Sequence, residues 1–204
     1  DGDGPFPAAV LVTGSGPLDR DSNTKKLRIG VMAQVAAHLA AHGIASLRYD
    51  KRGVGASEGD YLATGLIDNV ADARAALAAL RAHPEVDASR LFVIGHSEGA
   101  IIATEVAASE DLAGVVLLAG SAQLGRTVIE WQAGQVAEDL PTAAKVIMKV
   151  LRQDVAGQQR KSLDRLEATT EDVARIQFQK LNAKWVRELL AHNPGDTLAP
   201  RRDP

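Results

Sequence analysis

Leu91-Phe92-Val93-Ile94-Gly95-His96-Ser97-Glu98-Gly99-Ala100 is the stretch on which the reading of this chain turns. A short apolar run, Leu91 to Ile94, enters a G-x-S-x-G pentapeptide, and the helix-compatible run Ala100-Ile101-Ile102-Ala103-Thr104-Glu105-Val106 leaves it. A strand that turns sharply into a helix lifts the serine between them clear of its surroundings, where a base can reach its hydroxyl. Gly95 and Gly99 leave room for the turn, with His96 packed beside it, and the backbone N–H of Glu98 at the helix start is aimed at any oxyanion that forms on the attacked group. Ser97 is therefore the candidate nucleophile.

Outward from this turn, the chain repeats one pattern. Ala8-Ala9-Val10-Leu11-Val12 is a continuous apolar run of the kind buried on both faces of a parallel sheet, and it ends at Thr13-Gly14-Ser15-Gly16-Pro17. Met32, Val35, Ala36 and Leu39 follow helical spacing within Arg28 to His42, with Gly43 placed to end the helix in the left-handed conformation. Ile44 to Tyr49 reads as a second strand. Leu66, Val70, Ala73, Leu77 and Leu80 form the stripe of a helix running to His83 and stopped by Pro84. After the Ser97 turn, Gly114 to Ala119 is a fourth apolar strand. Strand and helix alternating in this way predict an α/β fold, a parallel sheet with helices on both faces.

Beyond Ser121 the pattern changes to helices alone: Val128 to Ala137, Ala143 to Leu151, and Val173 to Leu190 with Thr170 as its N-cap. Three units are expected: a core over residues 1–122, a C-terminal helical cap over 123–196 and an unstructured tail over 197–204. Trp131, Met148, Phe178 and Trp185 either line the inner face of the cap or pack between its helices.

Composition narrows the functions further. The 204 residues are 46% hydrophobic and 24% charged, enough for a real core, and 23 basic against 26 acidic side chains leave a net charge of −3. No field favours nucleic acid or an anionic membrane. No cysteine is present, so disulfides, thiolate metal sites and cysteine nucleophiles are excluded. No metal-ligand spacing and no cofactor motif is found: Gly14-x-Gly16 and Gly53-x-Gly55 carry Asp19 and Glu58 where a dinucleotide fingerprint needs its third glycine. No apolar run approaches the roughly 18 residues of a membrane span. A cytoplasmic protein is expected, while the opening Asp1-Gly2-Asp3-Gly4-Pro5, which reads like the middle of a protein, leaves a removed leader open.

Three motifs in order, Gly14-Ser15-Gly16-Pro17-Leu18-Asp19-Arg20-Asp21, Arg48-Tyr49-Asp50-Lys51-Arg52-Gly53-Val54-Gly55-Ala56-Ser57 and Gly95-His96-Ser97-Glu98-Gly99, resemble the α/β-hydrolase superfamily, and within it bacterial serine esterases and acyl-peptidase-like hydrolases. The resemblance covers roughly residues 5 to 122. It implies that Ser15 supplies a second oxyanion N–H from its backbone, and that the Asp19-Arg20-Asp21 and Asp50-Lys51-Arg52 loops brace each other beside the site. It implies an acyl-enzyme on Ser97 and a small-molecule ester or amide as substrate.

One part of the family pattern is missing. Such hydrolases carry an acid and then a histidine after two further strands, and neither strand is legible here. The only histidine after Ser97 is His192, expected at a helix end without a catalytic role. The chain thus reads as an incomplete α/β-hydrolase fold, truncated before its triad is finished, with base and acid expected from a complementing C-terminal fragment, another chain or nowhere. A partial sheet would expose an edge and favour association, including a homo-oligomer. The alternative reading is a catalytically silent hydrolase-fold chain that binds a ligand or partner.

Overall fold

The computed structural model describes residues 4–139, 141, 155–176 and 178–198. Its centre is a parallel sheet of four strands, β1 (Phe6–Val12), β2 (Ala45–Arg48), β3 (Val86–His96) and β4 (Gly114–Leu118), in the order β2-β1-β3-β4. Helices α1 (Val31–Ala41), α2 (Leu66–Arg81) and α3 (Glu98–Ala107) alternate with them, and a 3-10 turn, Tyr61–Ala63, precedes α2.

Side chains alternate across a strand with a period of two, and the core obeys that rule. Ala8, Val10 and Val12 of β1 and Leu91 and Val93 of β3 pack with Val70, Ala73 and Leu77 of α2 and Ile102, Ala103 and Val106 of α3. Their neighbours Ala9, Leu11 and Ile94 face the other way, onto Met32 and Ala36 of α1. The central strand is thus buried on both faces, which is why it reads as an unbroken apolar run rather than an alternating one. At the outer edge, Val116 and Leu117 of β4 remain 42% and 39% exposed.

Register sets the position of the site. Val12 stands level with Gly95, and His96 with Leu118. The loops that follow β1, β3 and β4 therefore leave the sheet at one end, the end where open α/β sheets carry their ligands.

At the ends of α1 one sequence expectation shifts and one holds. α1 starts at Val31 rather than Arg28, because the Gly30 N–H is held at 2.9 Å by the Asn23 side chain in the preceding loop. Gly43 does take the left-handed conformation, with φ 72°, and its N–H reaches Ala40 O at 3.1 Å.

The C-terminal third departs further. α4 (Gly125–Glu138) takes in the helix expected over Val128 to Ala137, while α5 (Val155–Ala168) is a helix where no helix was expected, and the two are joined by Arg126, which pairs with Glu130, Asp164 and Glu167. The helix expected over Ala143 to Leu151 lies outside the described residues. The helix expected over Val173–Leu190 is instead an antiparallel hairpin, β5 (Val173–Ile176) and β6 (Gln179–Asn182), followed by α6 (Ala183–Ala191). Thr170 is not its N-cap. Asn182 is, with its side-chain oxygen 2.8 Å from the Trp185 N–H.

The reason is partly local and partly tertiary. β-Branched Val173 and Ile176 suit a strand, Phe178 turns the hairpin with φ 66°, and the Asn182 amide donates to Tyr61 O and Thr64 O at 2.8 and 2.7 Å. Those two carbonyls belong to the 3-10 turn and its C-cap, remote in sequence, so helical periodicity alone could not place the boundary. α7 (Pro194–Leu198) takes in Thr197 and Leu198, which the sequence assigns to an unstructured tail; Thr197 Oγ1 donates to Glu105 at 2.6 Å. Among the described residues no helix is long and apolar enough to cross a membrane.

Candidate active site

Ser97 occupies the turn between β3 and α3 with φ 56° and ψ −117°. A positive φ is costly for a residue with a side chain, of order 1–3 kcal/mol, and persists only where the surroundings enforce it. Here the Ser97 N–H is tied to Leu118 O and the Ser97 carbonyl accepts from Ala100 N–H, each at 2.9 Å. The glycines explain themselves in this geometry. A methyl group on Gly95 would run into the Gly99 carbonyl, and one on Gly99 into the Val12 carbonyl, so strand, turn and helix approach at backbone distance only because both lack a Cβ.

Gly14, at the end of β1, lies against this turn: a Cβ there would stand 3.3 Å from Ser97 Cβ and 3.2 Å from His96 Nδ1. Ser15 follows it and lines, with Ser97 and Glu98, a cavity of about 270 Å³. Among the described residues, neither the Ser15 nor the Glu98 backbone N–H donates to a protein acceptor. The rest of the wall is largely apolar, with Ile101, Val128, Ile129 and Leu189, and Gln132 at its polar margin.

Directly beneath lies a buried polar network absent from the sequence reading. The Glu98 side chain, 1% exposed, takes a hydrogen bond from the Lys51 ammonium at 3.1 Å on one oxygen, and from Asn69 Nδ2 at 3.2 Å and Trp185 Nε1 at 2.7 Å on the other. Lys51, itself 5% exposed, donates also to the Gly14 carbonyl at 2.7 Å. Buried charges persist when each is paired and bonded, and this carboxylate has three donors. Two phenols stand near it in the neutral form. Burial pushes Tyr49 far up, with the charges of Asp72 and Glu98 adding to it. Burial likewise pushes Tyr61 up to about 12, with Glu98 adding and a bond from the Gly16 backbone opposing.

The two charged loops meet as follows. Arg20 grips Asp50 with Nη2 and Nε at 2.7 and 3.1 Å, and the Asp50 oxygens also accept the Arg20 and Ala56 backbone N–H groups at 2.7 and 2.9 Å. The Arg20 side chain, chiefly through its hydrogen bonds, holds the Asp50 carboxyl well below the usual carboxylate range against the opposing effect of burial. Asp21 pairs with Arg48. Among the described residues Asp19 makes no such bridge; its carboxylate closes its own loop on the Asp21 and Asn23 N–H groups at 3.0 and 2.8 Å. Arg52 also differs from expectation, because it turns away from the Asp19–Asp21 loop to α2, where Asp72 takes it bidentately at 2.7 and 2.8 Å and Asp68 lies 3.7 Å away. The carboxylates that α2 presents one turn apart, Asp68 and Asp72, give its guanidinium a closer fork than the opposite loop does.

α6 is anchored beside this framework. Glu188 accepts the Ile67 N–H at 2.9 Å at the start of α2, and Lys184 meets Asp68 at 2.7 Å. Of the four residues weighed as a lining, Trp185 reaches the cavity; Trp131 is 64% exposed, Phe178 is fully exposed at the hairpin turn, and Met148 lies outside the described residues. His192 sits at the end of α6, with Nε2 3.2 Å from Glu105 Oε1 but not aligned for a hydrogen bond. Glu105 lies eight residues beyond Ser97 on α3, about 12 Å along the helix axis. Among the described residues, His96 is the histidine that adjoins Ser97, and it belongs to the turn itself.

Sequence reasoning found the turn, the loops and Trp185 as a candidate lining residue but missed that Lys51, Asn69 and Trp185 meet at the Glu98 carboxylate. Lys51 stands in a polar loop, Asn69 within a helical stripe and Trp185 in a stretch taken as mid-helix, so nothing local marks any of them as a partner of Glu98.

The chain matches the family described as "Serine aminopeptidase, S33" over residues 27–193. It is 33% identical over 159 residues to the esterase EstD of Thermotoga maritima, a match that takes in 76% of this chain and 38% of that protein. Among solved structures, an α/β hydrolase, GrgF, from Penicillium sp. sh18 superposes with a TM-score of 0.58 at 16% identity, covering 95% of this chain and 68% of that one. Est1E from Butyrivibrio proteoclasticus, solved with ferulic acid bound, gives 0.59 at 18% identity over 94% and 63%. The chain thus spans well under half the length of the curated relative and about two thirds of these structures. With a family match over most of its length and the fold shared by both structures, the chain belongs to the S33 family of α/β hydrolases.

Proposed function

We propose that this chain carries the nucleophile and oxyanion site of a serine esterase that cleaves carboxylic esters, and amides as a second class, through an acyl-enzyme on Ser97. The observation that carries the reading is the enforced positive φ of Ser97 beside two backbone N–H groups without protein acceptors, all on one cavity wall. Ser97 Oγ attacks the acyl carbonyl carbon and its proton passes to a base. The tetrahedral oxyanion is held by the Ser15 and Glu98 N–H groups, and the bond to the leaving alkoxide breaks as that group takes the proton. Water then repeats the sequence on the acyl-enzyme.

Residues 123–196 act as the cap, which lends Val128, Ile129, Trp185 and Leu189 to the acyl pocket. A cavity of about 270 Å³ with such walls suits a modest apolar acyl group. The name of the Thermotoga maritima relative supports an ester rather than a peptide. The base and its acid are assigned to a segment outside this chain, because His192, at the end of α6, lies beside Glu105 far along α3 from Ser97 and His96 is part of the turn.

That last point also favours a second reading, a hydrolase-fold chain that binds a ligand without turning it over. Intact mass after treatment with a fluorophosphonate separates the two. A single rapid adduct on the parent and on His192→Ala, absent from Ser97→Ala, supports an activated serine served by a base other than His192. No adduct on the parent refutes the nucleophilic role in this chain and leaves the binding module.

A further inference from the structure

The buried ammonium of Lys51 is poorly explained by stability. An ion pair this deep loses about as much in desolvation as it gains by attraction, and apolar side chains of equal volume are often as stable or more so. Its contacts suggest another use. One of its three donors goes to Glu98 Oε2 at 3.1 Å, and a second goes to the Gly14 carbonyl at 2.7 Å. The carbonyl of Gly14 and the N–H of Ser15 belong to the same peptide unit. In a planar trans peptide these two groups point in opposite directions, so whatever holds the carbonyl also aims the amide. Ser15 lines the cavity above Ser97, and its N–H has no protein acceptor among the described residues.

We propose that Lys51 is a positioning residue for the oxyanion site: anchored on Glu98, its ammonium pins the Gly14 carbonyl inward and thereby turns the Ser15 N–H toward the carbonyl oxygen of a substrate on Ser97. The inference rests on the reading of Ser97 as nucleophile. A cation on the carbonyl also polarises the peptide and strengthens its N–H as a donor. Glu98 then serves twice, with its backbone N–H as one oxyanion donor and its carboxylate as the anchor for the other. Because Trp185 Nε1 bonds to the same carboxylate at 2.7 Å, α6 and both oxyanion donors share one fixed point.

The test compares the parent, Glu98→Gln, and the double variant Lys51→Met/Glu98→Gln, which avoids leaving one buried charge alone. Each is first shown to unfold cooperatively. Two readouts follow, the rate of Ser97 phosphonylation by a fluorophosphonate and the amide proton shift of Ser15 in nitrogen-15-labelled protein. In the labelling step the Oγ–P bond forms as the Oγ proton passes to a base or to water, the P–F bond breaks with fluoride leaving, and the phosphoryl oxygen occupies the oxyanion site. Loss of a whole oxyanion donor costs about 100- to 1000-fold. A donor kept but no longer aimed is expected to cost about tenfold, so the double variant should label about tenfold more slowly than Glu98→Gln. Its Ser15 amide proton should move upfield relative to Glu98→Gln. Equal labelling rates, or an unmoved Ser15 amide in a folded double variant, overturn the proposal. If the parent itself is not labelled, the nucleophile reading fails, and the Ser15 shift still decides whether Lys51 sets that peptide.

Discussion

Replacing Asp50 by Asn tests the bracing of the two loops beside the site. The Asp50 carboxylate accepts four hydrogen bonds, from the backbone N, Nε and Nη2 of Arg20 and from the Ala56 N–H. An asparagine keeps one acceptor oxygen and turns an NH₂ group toward donors on the other side. Hydrogen bonds to a charged group contribute about 1.5–3 kcal/mol each and do not add. The Arg20 side chain is 48% exposed, so solvent screens its ionic share, and the two backbone donors, which cannot turn away, carry most of the loss. The expected cost is about 2–4 kcal/mol. For a chain of this size each kcal/mol moves the melting temperature by about 2–4 °C, so thermal unfolding followed by circular dichroism at neutral pH should show a drop of about 5–15 °C. The pH dependence has a definite sign. Asp50 has its pKa depressed in the folded state, so its contribution is complete above the unfolded value near pH 4 and is lost as pH falls through the lower native value. The gap between parent and variant should therefore hold steady from about pH 5 to 8 and narrow in stronger acid. A melting temperature within about 1 °C of the parent at neutral pH, or a gap that widens in acid, would refute the argument.

Two further outcomes are expected. Gly99→Ala places a methyl group against the Val12 carbonyl, an overlap with backbone that cannot move aside cheaply, and should cost about 3 kcal/mol or more in urea denaturation; a loss under about 1 kcal/mol would mean that strand and helix are not so closely apposed. Trp185→Phe keeps the ring in the cavity wall but removes one of three donors to the Glu98 carboxylate, and should lower stability by about 1–3 kcal/mol on the same assay, with an unchanged midpoint counting against the Trp185 contact.

The sheet was legible because burial on both faces leaves its mark residue by residue. Ala8 to Val12 and Leu91 to Ile94 are apolar without a break, and the helix over Leu66 to Arg81 carries a stripe that matches the core found around Val70, Ala73 and Leu77. The turn at Ser97 was legible for a different reason: Gly95 and Gly99 are demanded by backbone approach across a few residues, a constraint that local sequence records directly. The hairpin at Val173 to Asn182 was not, because a short strand pair and a helical stretch with similar apolar content differ in what they dock against. Here that is the pair of carbonyls at Tyr61 and Thr64.

Arg52 makes the same point at the site. Its charge was visible in the motif, but Asp72 and Asp68 compete for it from α2, and only their placement one helical turn apart decides the pairing. Lys51 and Trp185 show it most clearly. Either could have been a solvated surface residue or packing, and the fold instead brings both to one buried carboxylate. What the residues determine alone is therefore short in range: the apolar runs that build a parallel sheet, the stripes that cover it, and the glycine-flanked serine where strand meets helix. What tertiary structure decides is the pairing of charges and donors far apart in the chain, because a hydrogen bond depends on ångström-scale distance and direction between groups whose proximity no local pattern encodes.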